Sequence, residues 1–464
     1  MQSTLEPLEG NKVKLSVAVD AAELDKAVDN AAKKLAREVR MPGFRPGKVP
    51  RRVLEARMGH GALRQEALRE SLPTFYASAV REHEIDVIAP PEIDITEGEE
   101  QGDLRFDAVV EVRPTVAIPG YGGLQVTVDP PVATDEDVER QVDRLRANDA
   151  TLEDVSRPAK DADVLTIDLG MTPSTDGEAS AEPTSLTDVS YTVGSEEFGV
   201  AEIDVQLRGA RVGDILKFTS NVSEGRDMAF HVLVKAVREQ RLPELTDEWV
   251  ADQTEFSTVG ELESDLRDRI TGIKRVQSRM QMRDKAVDAL VELVTDDAPA
   301  PLVEADLERR MHDFGHRLEA QKATFEQYLA ATGQEPEAFV ESMRETSVVA
   351  VKVDLALRAL ADAEGIEATE EDIDEEIARL AEATDRSPEQ VRRNVVTADQ
   401  LPAVRSDIRK AKALAWLIEH VDVVDPEGQP IDRTALEPES APEEAEPGDE
   451  EDATVANEAV GSEA

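Results

Sequence analysis

The sequence predicts a multi-domain α+β protein: a mixed N-terminal unit, a small β-rich domain, a long all-α region and an acidic tail. Three observations carry this. Strand-like alternation and helix-like spacing occur together within residues 1–115, and short alternating strands crowd residues 160–242. Apolar residues then recur at three- and four-residue steps as far as Val424. At 464 residues the chain has room for about three domains.

Taken in order, Asn11 to Asp20 alternates apolar and polar residues and predicts a half-buried strand. From Ala21 to Arg40, Leu24, Val28, Ala31, Ala32, Leu35 and Val39 fall at helical spacing, and Pro42 ends that helix. Pro50 suits the first turn of a second helix past Val53, Leu54 and Met58. A third spans Glu66 to His83, and Asp103 to Arg113 alternates again until Pro114 stops it. Residues 1–115 therefore read as one α+β unit.

Residues 116–159 form a linker that carries a helix. Ile118-Pro-Gly-Tyr-Gly-Gly123 and Asp129-Pro-Pro131 are turn-rich, and Thr134 is placed to cap a helix from Asp135 to Asn148. Its opening, Thr134-Asp-Glu-Asp, is echoed at Thr369-Glu-Glu-Asp, where acids again sit in the first turn. Within 160–242, strands are expected at Val164–Gly170, Ser190–Val193, Ile215–Thr219 and Phe230–Val237. Residues 243–424 form a helical domain that reads as helix from about Thr246, with Val349, Val353, Leu357 and Leu360 as a sample of the spacing. Residues 425–464 hold fourteen Asp/Glu against Arg433 alone, with several Pro, a composition that predicts a disordered acidic tail.

Composition narrows the function. The net charge of −48 argues against general affinity for nucleic acid, and the 3% aromatic content favours helices with thin apolar stripes. There is no Cys, which removes disulfides, thiolate metal sites and cysteine nucleophiles. The first residues have neither the basic nor the apolar region of a signal peptide, and no uninterrupted apolar run of about 18 residues occurs. A soluble cytoplasmic protein that does not enter membranes is the expectation.

Against this acidic background one segment is basic. Lys33 to Arg64 contains ten Lys/Arg and two acids, net +8, leaving −56 on the rest. That fits either a docking site for a polyanion or a solvated helix face. At its centre lies Met41-Pro-Gly-Phe-Arg-Pro-Gly-Lys-Val-Pro50, whose Gly and Pro forbid regular structure while Phe44 stands between Arg45 and Lys48. Gly43 to Lys48 is one residue short of a phosphate loop, and Val49 replaces the required Ser/Thr, so no nucleotide site is read there. His312 and His316 have metal-ligand spacing but lack a third ligand, and no nucleophile arrangement is visible. No metal, no cofactor and no acid–base catalytic residue is expected.

Gly43-Phe44-Arg45-Pro46-Gly47-Lys48-Val49-Pro50 resembles the ribosome-docking signature of the bacterial trigger factor family of chaperones. The order of parts is similar too, as is the junction Leu242-Pro-Glu-Leu-Thr-Asp-Glu-Trp249, so the likeness covers residues 1 to 425. The resemblance implies a ribosome-binding domain at 1–115, an FK506-binding-protein-like isomerase domain at 160–242 and a chaperone cradle at 243–424. It also implies that Gly43, Phe44, Arg45, Pro46, Gly47 and Lys48 contact protein and rRNA of the large ribosomal subunit near the exit tunnel. Other implied partners are nascent and unfolded chains, with a homodimer off the ribosome. Met311, Phe314, Leu318, Phe325, Tyr328, Phe339 and Met343, which gather scarce aromatics and adaptable Met, would face clients in the cradle.

The family activity is peptidyl-prolyl cis–trans isomerisation, which needs an apolar pocket and no acid or base. Here the matching positions are depleted. Phe230 matches an aromatic wall and Val200 the usual Ile. Leu169 stands where an aromatic is typical, and Ile203 replaces the Phe or Trp floor. The flap expected between Val222 and Phe230 is missing. A ribosome-associated holding chaperone with weak isomerase activity is therefore the first reading, and a protein that is primarily a prolyl isomerase is the alternative. A periplasmic chaperone with a parvulin-type domain would require a signal peptide.

Overall fold

A computed structural model of the chain describes residues 1–38, 44, 49–58, 60–173, 184–195, 198–223 and 226–437. Internal packing groups them into two units: Met1–Thr127 with Met282–Val424, and Val128–Gln281 with the segment from Asp425.

The first unit begins with a four-stranded antiparallel sheet in the order β1-β2-β4-β3. Its strands are β1 (Gln2–Pro7), β2 (Lys12–Val19), β3 (Glu92–Glu97) and β4 (Leu104–Glu111). The predicted alternation is realised in the central pair. Leu15 lies opposite Ala108, Val17 opposite Phe106 and Val19 opposite Leu104, all of them buried. The helices α1 (Ala21–Glu38), α2 (Arg51–Met58) and α3 (His60–Glu82) follow β2. Leu24, Leu68 and Ala79 pack on the buried face of the sheet, and this core contains only residues before 111. The third helix starts at His60, six residues ahead of the predicted Glu66.

The remainder of this unit is helical: the last part of α7 (Val259–Glu292), then α8 (Ala300–Ala320), α9 (Phe325–Thr332) and α10 (Pro336–Ala363). The shorter α11 (Glu370–Ala383) and α12 (Pro388–Thr397) precede α13 (Leu401–His420). The predicted helical run does not continue to Val424. It stops at His420, and β11 (Asp422–Val424) pairs in parallel with β5 (Gln125–Thr127). Val423 and Val424 are buried in this two-stranded sheet, so apolar residues that continue a helical pattern by spacing serve a strand instead.

In the second unit, α4 (Asp135–Ala147) is capped as predicted: the Thr134 side chain accepts from Asp137 N–H, and Asp137 accepts from Thr134 N–H. Val138 and Val142 of α4 meet Val250 of α6 (Asp247–Gln253) and Leu262 and Leu266 of α7. The β-rich domain is a five-stranded sheet in which β10 (Arg226–Arg241) pairs on one side with β7 (Val164–Pro173). Its other side carries β9 (Ile215–Ser223) along Arg226–Leu233 and β6 (Thr151–Asp154) along Arg238–Arg241, each paired directly with β10, while β8 (Thr184–Thr192) lies beyond β7. One short helix, α5 (Ala201–Leu207), lays Ile203 and Leu207 against the sheet.

Candidate functional site

The basic loop joins α1 to α2. Small side chains on α1 (Ala31, Ala32 and Ala36) let it lie close to α2 and α3, while Val49, Leu54 and Leu63 fill the space beside the connection. Of the residues expected to dock, Phe44 is described, and it is 40% exposed. Gly43, Arg45, Pro46, Gly47 and Lys48 lie outside the described residues. The neighbouring cations divide into two sets. Arg51 bonds Asp29 at 2.8 Å and Asp25 at 3.2 Å, Lys34 pairs with Glu70, and Arg64 donates to the Gly98 and Gly102 carbonyls. These three hold the domain together. Lys33 and Arg37, one turn apart on α1, are exposed and have no carboxylate partner among the described residues, leaving their charge for something else.

The four residues matched to an isomerase pocket lie in one place. Leu169 and Ile203 are completely buried, Phe230 is 1% exposed and Val200 5%, all within the cluster that forms the core of the β-rich domain. The Phe230 ring stacks on Phe218, 5.2 Å between centroids, and Tyr191 stacks on Phe198. The buried Asp204 carboxylate is satisfied by the Tyr191 hydroxyl (2.9 Å) and Gly194 N–H (2.6 Å), which ties α5 to the sheet. Ser223 of β9 pairs with Arg226 of β10, within the stretch where the resemblance implies a flap.

The cradle residues converge as well. Phe314 of α8 meets Tyr328 of α9 and Phe339 of α10, each with centroids 5.0 Å apart, and Phe325 lies 5.3 Å from Phe339. Leu318 and Phe339 are 7% exposed, whereas Met311, Phe314, Phe325, Tyr328 and Met343 are half-buried. The aromatics thus knit three helices together around the buried Phe339 and leave part of the Phe314, Phe325 and Tyr328 rings at the surface.

Sequence reasoning missed two features. Asp354 of α10 receives Arg113 Nη1 at 2.8 Å, Arg358 Nε at 3.0 Å and Lys410 Nζ at 2.7 Å. Arg113 and Arg358 also reach Asp86, and Lys410 reaches Asp407. One carboxylate thereby joins the end of the N-terminal sheet domain to α10 and α13. Burial opposes its ionisation, but the Lys410 hydrogen bond and the charges of Arg358, Lys410 and Arg113 outweigh that and hold its pKa below the usual value. A cavity of about 620 Å³ opens beside this node, floored by Leu302, Val353, Leu357 and Leu414. Only Arg358, one turn on along α10, is local to Asp354; Arg113 and Lys410 come from distant segments that its sequence neighbourhood does not announce.

The second is a stripe on α7: Ile273, Val276 and Met280 are 59%, 60% and 61% exposed. Helical spacing cannot reveal which face of a long helix the fold leaves uncovered.

The two echoed helix starts are alike in structure. Thr369 and Asp372 form a second capping box, and each capping carboxylate takes a lysine from another helix: Lys274 on Asp137, and Lys412 on Asp372 at 2.5 Å. Those lysines, with the cap hydrogen bonds, lower both pKa values, that of Asp372 to about 2. His312 and His316 touch each other (Nε2 to Nε2, 3.1 Å), and no group of three metal-ligating side chains occurs among the described residues. Nor is any described helix long and apolar enough to cross a membrane.

What these parts define is a multi-domain binding protein with an exposed Phe in a basic helix connection and partly exposed apolar surface on long helices. Residues 1–145 match the family model described as bacterial trigger factor protein, and residues 258–419 match that of the trigger factor C-terminus. A trigger factor of Nocardia farcinica is 38% identical over 98% of both chains. One of Saccharopolyspora erythraea is 38% identical over 94% of this chain and 93% of its own. A solved trigger factor chaperone, studied for promiscuous substrate recognition in folding and assembly, is 22% identical with a TM-score of 0.43, covering 90% of this chain and 99% of that one. The chain belongs to the bacterial trigger factor family of chaperones.

Proposed function

We propose that this chain docks on the large ribosomal subunit near the exit tunnel through Gly43 to Lys48 and holds emerging chains on its helical region. The observation that carries the reading is Phe44: an aromatic ring 40% exposed, in a segment of net +8, on a protein of net −48. An apolar anchor flanked by cations suits a surface of RNA phosphate and protein. Lys33 and Arg37, free of internal partners among the described residues, extend the charge along α1. Work at the ribosome places the protein in the cytoplasm.

The association should weaken steeply with salt. With about four phosphate contacts, raising salt from about 50 to 200 mM costs roughly 50- to 150-fold in affinity. Ribosome pelleting at the two concentrations reads this directly, and a salt-insensitive pellet would contradict a phosphate-dominated contact.

Clients are held on the partly exposed rings of Phe314, Phe325 and Tyr328 with Met311 and Met343, and along the apolar floor beside Asp354. Prolyl isomerase activity is weak in this reading. Leu169, Val200, Ile203 and Phe230 are committed to the domain core, and β9 and β10 pair as far as Ser223 and Arg226, within the stretch where a flap is expected. In a protease-coupled proline-peptide assay, the slow phase is expected to keep its uncatalysed half-time of tens to hundreds of seconds. A rate typical of FK506-binding domains would refute this and favour the reading as primarily an isomerase.

A further inference from the structure

We propose that the acidic segment 438–464 folds back on α7 and covers the apolar stripe Ile273, Val276 and Met280. Such a stripe on a long helix is costly to leave in water, and here it continues into a groove. That groove, about 590 Å³, is lined by Leu145, Phe256, Leu262, Ile270 and Ile273. Stripe and groove lie within one unit of the fold.

Charge selects the occupant. Between Arg269 and Gln281 the helix carries Arg269, Lys274, Arg275 and Arg279 and no acid, a run of cations on a very acidic protein. Lys274 is engaged by Asp137, and Arg269 by Asp265 at 2.7 Å. Arg279, beside the stripe, and Arg144, on the groove, are exposed and have no carboxylate partner among the described residues. Residues 438–464 hold ten acids and no cation. Their acids are concentrated between Glu443 and Asp452, and Val455 and Val460 follow. A segment that is acidic first and apolar afterwards matches a surface with arginines flanking Ile273, Val276 and Met280.

Reach is not limiting. Twenty-seven residues beyond Glu437 extend up to about 90 Å, whereas the helix from Arg269 to Met280 is only about 17 Å long. Tethering also raises the local concentration of the segment into the millimolar range, so weak contacts suffice. A client that displaced the segment would have to outcompete it, which sets a threshold for binding at this face.

Because the chain has no Cys, a single introduced pair reports proximity. In the full-length protein, Gln277→Cys with Ala456→Cys is expected to form an intrachain disulfide about tenfold faster than a control pair of Val212→Cys with Ala456→Cys. Arg144→Glu with Arg279→Glu should bring the two rates together, as should high salt. Removing residues 438–464 should raise binding of an environment-sensitive apolar dye, and Val276→Ser with Met280→Ser should cancel that rise. Equal rates for the two pairs, a fast rate indifferent to charge reversal, or disulfides only between chains would overturn the proposal. The last would identify a second copy as the occupant.

Discussion

With Phe44 and Arg45 both replaced by Ala, the chain is expected to leave the ribosome pellet at physiological salt. Burying a Phe side chain is worth about 1.5–3 kcal/mol, and a hydrogen bond to a charged group about 1.5–3 kcal/mol. Losing both lowers affinity by roughly two to four orders of magnitude. The domain itself should be unaffected. Phe44 belongs to none of the buried clusters, and the packing of Val49, Leu54 and Leu63 does not use it. Co-sedimentation, with circular dichroism as the control for folding, separates the two effects. Survival of the complex would move the docking site elsewhere.

The second large effect concerns Asp354. In Asp354→Ala, Arg113, Arg358 and Lys410 would converge on a site from which the central carboxylate has gone. Removing one member of a partly buried ionic cluster costs about 3 kcal/mol, because the remaining charges stay desolvated. Urea unfolding of the variant should show this as a lower midpoint with little change in slope. The pH dependence follows from the depressed pKa. An unfolded Asp titrates near about 3.9, so the stabilisation is fully present above that pH and disappears as pH falls through the lower folded value. The deficit of Asp354→Ala is therefore greatest near neutrality and narrows below about pH 4. A deficit unchanged at low pH would mean that packing, not charge, is what the residue supplies.

Where local chemistry determines structure, the sequence was readable. Thr134 with Asp137 specifies a capping box within four residues, and the alternation of Leu15, Val17 and Val19 specifies a buried strand face. The elements that escaped notice gain their structure from pairing with another strand and not from a pattern of their own. Gln2–Pro7 is mostly exposed and gains its structure by pairing with β2, so its own residues carry little apolar signal. Glu92–Glu97 is acidic, and Ile93 and Ile95 alternate for too short a stretch to stand out. Asp422–Val424 was hidden because its valines continue a helical spacing. The gathering of Phe314, Phe325, Tyr328 and Phe339 was visible as composition, but their stacking on one another was not. Whether a ring meets a neighbour or solvent is decided by how the helices cross.

The pairing of Gln125–Thr127 with Asp422–Val424 has a temporal consequence. The partners are 297 residues apart, so closing that loop carries an entropic cost of about 5 kcal/mol. At about 5–20 residues per second, the second strand is made about 15–60 s after the first. Throughout that interval the sheet domain before Pro114 must stand on its own core, which contains no residue beyond 108. A newly made copy would thus have its Phe44-bearing end folded well before its helical half is finished. The first half of this protein to mature is the one that holds the loop.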